Sequence, residues 1–396
     1  MPFAELLHAL ILPVTLLLIA APFASALAAP AAEVDALARL AIQGERAAIV
    51  KLLDLARTGD AGAQVQIGRL YYQGQVVQRN YPLAREWFLN AAANDHAEAM
   101  NLLGHMYQEG LGAEQNYVEA RRWYQQAADQ GLAAASNNLG WLHLKGLGTE
   151  KNPARAREWF ERAAGKDHPV ALYNLGYLYA AGLGTEREPE RALAEYRKSA
   201  TLGYPPAMRA IGWHYQEGQG IAQDYAEAKR WYEKAAANGD LEADAMIGQL
   251  FQHGRGMPRE LDIARRHYEK AAQGGDPLGQ LFLGWLYQQG LDVARNYETA
   301  LAWYRKSAEQ GNATAQNNLG YLYDQGLGVA RDYEEALAWY RKAAEQNEPA
   351  ALFNIGYMYE EAHGVARDLD AAFRYYREAA ERGHVEAKRI LGKAAH

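Results

Sequence analysis

Apolar and small residues recur along this chain with a strict period of 36. Glycines stand at Gly68, Gly104, Gly140, Gly176, Gly212, Gly248, Gly284, Gly320, Gly356 and Gly392, each preceded by Leu or Ile. Three residues later comes an aromatic such as Tyr107, Tyr179 or Phe251, with His143 as the exception. Six residues after each anchor a second glycine follows, from Gly74 through Gly326, until Ala362 breaks the series. A second pattern then begins. Ala84, Ala120, Ala156, Ala192, Ala228, Ala264, Ala300, Ala336 and Ala372 hold one position, and four residues on sits an invariable aromatic, from Phe88 and Tyr124 to Tyr376. A pair of small residues closes each copy, as in Ala127-Ala128 and Ser307-Ala308. Spacings of three and four place each set on one helix face, so every repeat is predicted to be two amphipathic helices. Asn116 with Glu119, Asp224 with Glu227 and Asp332 with Glu335 have the capping-box spacing at the start of the second helix. Gly131, Asp167, Gly239, Gly311, Asn347 and Gly383 supply the left-handed residue that ends it. A lone helix pair cannot bury its second face, so the pairs must stack. The prediction is an all-α solenoid of antiparallel helix pairs. Nine full copies occupy residues 61–384; residues 29–60 read as a linker and degenerate capping helices, and residues 385–396 as a C-terminal capping helix.

These positions resemble the Sel-like repeat (SLR) family, relatives of the tetratricopeptide repeats. The copy from Ala313 to Glu348, ATAQNNLGYLYDQGLGVARDYEEALAWYRKAAEQNE, is close to the family pattern, and the likeness runs through nearly all of the chain after its amino terminus. The resemblance implies a right-handed superhelix serving as a protein-interaction scaffold, commonly bacterial and often in the cell envelope. Some secreted relatives carry one disulfide per repeat. This chain has no cysteine, so that subgroup's behaviour does not transfer.

The missing cysteines also exclude disulfide scaffolds, thiol catalysis, Cys-ligated zinc and iron–sulfur clusters. With 48 acidic and 41 basic residues, the formal charge of −7 lacks the concentrated basic face that nucleic acid requires. The first 28 residues differ from the rest. An apolar run from Leu10 to Ala21 leads to Ala26 and Ala28, a small-x-small pattern that predicts an export signal cleaved after Ala28. The absence of Lys or Arg before that run leaves an uncleaved signal anchor as the alternative. No later stretch is apolar enough to span a bilayer, and a periplasmic or secreted protein is the expectation.

No catalytic, metal-binding or cofactor-binding constellation emerges. After residue 28 the only serines are Ser136, Ser199 and Ser307; none begins an S-x-x-K or lies within a G-x-S-x-G, and the last two stand where other repeats have Ala. His253 and His267 share a repeat without metal-ligand spacing. The Gly-x-Gly turns follow helices, not strands, which is the wrong context for a phosphate cradle.

One row of residues stands out. The position after each anchor glycine carries Trp141, Tyr177, Trp213, Trp285, Tyr321 and Tyr357, and two residues before the glycine come Asn138, Asn174, Asn318 and Asn354. These positions are three apart and share a helix face. In tetratricopeptide-like folds the first helices line the concave face. The row is therefore a candidate partner-binding stripe, its amides suited to clamp an extended peptide. Stacking of sugar rings, hence a polysaccharide ligand, is one alternative, and packing between adjacent repeats is the other. Gln249 interrupts the row in the sixth repeat, where His267 and Leu261 also replace the usual Trp and Tyr.

Overall fold

The computed structural model describes residues 30–394; the expected signal segment lies outside the described residues. Among them are 21 helices and no strands. They fall into two compact units that meet in the chain at Leu202 and Gly203. The first unit comprises α1 (Ala31–Ile42), α2 (Arg46–Arg57), α3 (Ala61–Gln73), α4 (Tyr81–Ala93), α5 (Ala97–Glu109), α6 (Tyr117–Asp129), α7 (Ala133–Lys145), α8 (Pro153–Ala164), α9 (Pro169–Ala181) and α10 (Pro189–Thr201). The second comprises α11 (Pro205–Glu217), α12 (Tyr225–Ala237), α13 (Leu241–His253), α14 (Leu261–Gln273), α15 (Pro277–Gln289), α16 (Tyr297–Glu309), α17 (Ala313–Gln325), α18 (Tyr333–Glu345), α19 (Pro349–Glu361), α20 (Leu369–Glu381) and α21 (Val385–Ala394). Within each unit the two helices of a repeat pack on one another, and the second packs on the first helix of the next.

The anchor glycines set the spacing within a pair. A Cβ at Gly104 would lie 2.5 Å from the ring of Tyr124, and one at Gly284 would lie 2.8 Å from that of Tyr304. The anchors from Gly68 to Gly356 are thus the bare floor on which a second-helix ring lies, and that ring is buried in every repeat, Tyr196 being the most open at 4% exposed. A buried phenol must find a partner for its hydroxyl. In five repeats the residue four after the anchor supplies it. Tyr124 donates to Gln108 (3.1 Å), Tyr232 to Gln216 (3.1 Å), Tyr268 to Gln252 (2.7 Å), Tyr304 to Gln288 (2.5 Å) and Tyr376 to Glu360 (2.6 Å). Where the ring is Phe160, which has no hydroxyl, that position is Leu144. Tyr196, opposite Ala180, tilts against Tyr173 with centroids 5.5 Å apart. Burial raises the pKa of Tyr124, Tyr196, Tyr232, Tyr268, Tyr304 and Tyr376 well above the ordinary phenol.

The turns close by repeated hydrogen bonds. The glycines at the ends of the first helices are left-handed, as at Gly110 (φ 70°), and Ala362 is held in the same conformation (φ 59°) without glycine's freedom. Most second helices are capped by Asn or Asp, with Asn116 and Asp332 accepting from the N–H of Glu119 and Glu335, whereas Glu188 before α10 and Glu260 before α14 make no side-chain cap. The reciprocal arm of the capping box is filled differently from the sequence expectation. The N–H of the cap residue donates to the carbonyl of the aromatic three after the anchor, as from Asn116 to Tyr107 (2.8 Å) and from Asp332 to Tyr323 (3.0 Å). The acidic side chain is released for other work, and Glu335 accepts from the indole N–H of Trp339 at 2.9 Å.

Candidate interaction face

Because the anchor glycine faces the partner helix, the next residue is turned about 100° away from that contact. The ring there is left half in water. In the first unit Trp141 is 39% and Tyr177 46% exposed; in the second, Trp213 is 41%, and Tyr321 and Tyr357 are each 40% exposed. Trp285 differs: it is half-buried and packs against the core beside Phe282 and Tyr287. The earliest repeats carry polar groups at this position. Arg69 pairs with Glu98, and the hydroxyl of Tyr72 lies 3.2 Å from Nδ1 of His105. Large rings left exposed in the third, fourth, fifth, eighth and ninth repeats, while the rings four after the invariant alanine are sealed, separate the exposed row from the core.

The asparagines have a different setting. In the first unit Asn138 donates to Asn101 of the preceding repeat at 3.0 Å, and Asn174 donates to Asn137 at 2.9 Å. In the second, Asn354 donates to Asn317 at 2.9 Å, and Asn318 accepts a longer bond, 3.4 Å, from Asn317. Three of these four residues therefore take part in links across a spacing of 37, one residue more than the repeat. Sequence reasoning found the asparagines and missed the links. The signal was Asn101, Asn137 and Asn317, each three before its anchor. One bond does not exhaust an amide with two N–H groups and a carbonyl.

The three serines after residue 28 are buried. Ser199 donates to the carbonyl of Pro169 and Ser307 to that of Pro277, each at 2.7 Å, so both tie a second helix to its own repeat's first. Among the described residues no three His, Asp or Glu side chains converge as a metal site. Burial lowers the pKa of His143, His168, His253 and His384, favouring the neutral ring. Where the aromatic row breaks, Asp244 is buried against His267 (3.1 Å) and Lys270 (2.7 Å). Burial pushes its carboxyl up, but the hydrogen bonds from those two partners prevail and its pKa is lowered. His267 thus replaces the usual Trp with a partner for a buried carboxylate, its ring stacked on Phe251.

Comparison with known proteins gives this architecture its family. The Sel1 repeat pattern matches nine consecutive segments: residues 61–96, 97–132, 133–168, 169–204, 205–240, 241–276, 277–312, 313–348 and 349–384. The chain belongs to the Sel1 repeat family. Among solved structures, a protective antigen of uropathogenic Escherichia coli displaying an SLR fold is 34% identical, with a TM-score of 0.52, over 91% of this chain and 82% of its own. A Sel1 repeat protein from Oxalobacter formigenes is 33% identical, with a TM-score of 0.53, over 63% of this chain and 100% of its own. Comparison with curated proteins found no match. Sel1 repeats mediate protein interactions and the family's members act as scaffolds. No helix among the described Sel1 residues is long and apolar enough to cross a membrane.

Proposed function

We propose that this Sel1 repeat protein is a non-catalytic, exported scaffold of the bacterial envelope, and that partner polypeptides dock on the face of its first helices. The observation that carries the reading is the exposed row Trp141 and Tyr177 in one unit, and Trp213, Tyr321 and Tyr357 in the other. Interaction surfaces favour Trp and Tyr, because a rigid ring buries much apolar area while its polar edge tolerates water between encounters. Asn138, Asn174 and Asn354 beside the rings join repeats and so hold the face in register, with Trp285 serving mainly as packing. Export rests on the apolar run and the Ala26-x-Ala28 pattern.

The test is capture from an envelope extract by the chain beginning at residue 29, beside a variant with Trp141, Tyr177, Tyr321 and Tyr357 changed to Ala. Circular dichroism checks that the variant remains helical. A protein retained by the native chain and lost by the variant supports the scaffold. Equal capture by both removes the aromatic row from the account. If no protein is captured and soluble glycans quench the Trp emission, the ligand is a polysaccharide instead. The mass of the protein recovered from the envelope tests cleavage after Ala28.

A further inference from the structure

Trp141 in the first unit and Trp213 and Tyr357 in the second have helical neighbours of opposite charge. In the first unit the residue four after Trp141 is Lys145, whose ammonium lies 4.7 Å from the indole centroid, so this ring already carries a cation from its own helix. In the second unit the same helical spacing places Glu217 after Trp213 and Glu361 after Tyr357. Both carboxylates are on exposed residues. At the positions one, four and five after the anchors, α11, α13, α15, α17 and α19 carry no Lys or Arg, but do carry Glu217, Asp324, Glu360 and Glu361. Arg209, three before its anchor, pairs with Asp240 and Glu242.

The last two repeats gather this charge around a ring. Tyr357 meets His363 edge-on, with centroids 5.8 Å apart, and His363 stacks on Tyr333 at 4.3 Å. Nδ1 of His363 lies 3.6 Å from Oδ1 of Asp324, a buried oxygen with no hydrogen bond, while Oδ2 accepts from Gln325 at 2.7 Å. Glu360 accepts from the hydroxyl of Tyr376, and Glu361 stands in solvent. A ring face and an unshielded carboxylate side by side attract the same group. An ammonium or guanidinium over the ring is held by the quadrupole and by the carboxylate together.

We propose that the first-helix face of the second unit docks a cationic, extended segment of a partner polypeptide, with one Lys or Arg over Tyr357 against Glu361 and another over Trp213 against Glu217. This rests on the reading that partners dock on the first helices, and adds the chemistry of what docks. The pair formed by Trp141 and Lys145 in the first unit shows, within the same chain, the contact a ligand would complete in the second.

Fluorescence anisotropy of the full chain tests it with three labelled peptides of serine and glycine carrying several Arg, Gln or Glu residues. The Arg peptide is expected to bind about tenfold or more tightly than the Gln peptide, and the Glu peptide not at all. Tyr357→Ala and Glu361→Gln should each weaken the Arg peptide about threefold. Glu298→Gln and Glu334→Gln, exposed on the second helices, should leave it unchanged. Equal loss from these outer variants overturns the proposal, because overall negative charge then suffices. Equal binding of the Arg and Gln peptides, lost in Tyr357→Ala, overturns it while leaving the scaffold reading standing. No peptide binding, with Trp emission quenched by glycans, overturns both.

Discussion

The buried tyrosines make a prediction that the chain itself has already tried. Tyr268 is fully buried, and its hydroxyl donates to Oε1 of Gln252, itself 7% exposed, at 2.7 Å. Tyr268→Phe removes the donor and strands a buried amide oxygen, which costs about 1–3 kcal/mol. Adding Gln252→Leu removes the stranded group and recreates the Phe160–Leu144 combination of the third repeat, where both residues are buried. Replacing both partners of a hydrogen bond by apolar groups of similar size is nearly neutral, so the double variant should lie within about 1 kcal/mol of the native chain. The coupling between the two substitutions is then about 1–2 kcal/mol. Because stacked repeats need not unfold in one step, hydrogen exchange of the amides of α13 and α14 is the better readout, with urea unfolding as the comparison. The reasoning fails if Tyr268→Phe costs less than about 0.3 kcal/mol, well below the range for an orphaned buried acceptor, or if the double variant is as unstable as the single one.

Three further outcomes follow from the geometry. Ala362→Gly should stabilise the second unit by about 0.5–1 kcal/mol, since alanine is held at a φ of 59° that glycine adopts freely; a raised thermal midpoint checks it. Ser307→Ala should lose about 1 kcal/mol in urea unfolding, because the 2.7 Å bond to Pro277 disappears while most other repeats pack alanine at this position. Asp244→Asn should destabilise the sixth repeat by about 1 kcal/mol or more at neutral pH through the loss of charge-assisted bonds to His267 and Lys270. The Asp244 pKa is lowered on folding, so its contribution is complete above the ordinary carboxylate value of about 3.9 and is lost as the pH falls through the lower folded value. Urea midpoints of native and Asp244→Asn chains should therefore converge in acid, and a constant gap at all pH values contradicts the assignment.

Helix pairs were legible because each core position repeats in register: a glycine floor, an aromatic lid and alanines between them leave few ways to pack. The exposed row was also legible, since the residue after a buried glycine must turn away from the contact. The partners of polar groups were not. Whether Asn138 reaches toward a ligand or toward Asn101 depends on the offset between neighbouring helices, which a single repeat does not contain. Trp285 carries the same residue type as Trp213 and takes a more buried position beside Phe282, where the fifth repeat has only Ala210. The capping boxes were half legible, because the carbonyls of Tyr107 and Tyr323 that fill the other arm come from the preceding helix.

The most direct test of the scaffold account places a photoreactive phenylalanine analogue at Tyr177 or Tyr321 on the first helices, and at Arg122 or Arg266 on the second helices, whose side chains are 69% and 64% exposed. After irradiation in an envelope extract, the account predicts a shared set of protein adducts from Tyr177 and Tyr321, and none of that set from Arg122 or Arg266. Adducts formed from Arg122 and Arg266 with none from the aromatic positions would contradict it, placing the interaction on the opposite helices.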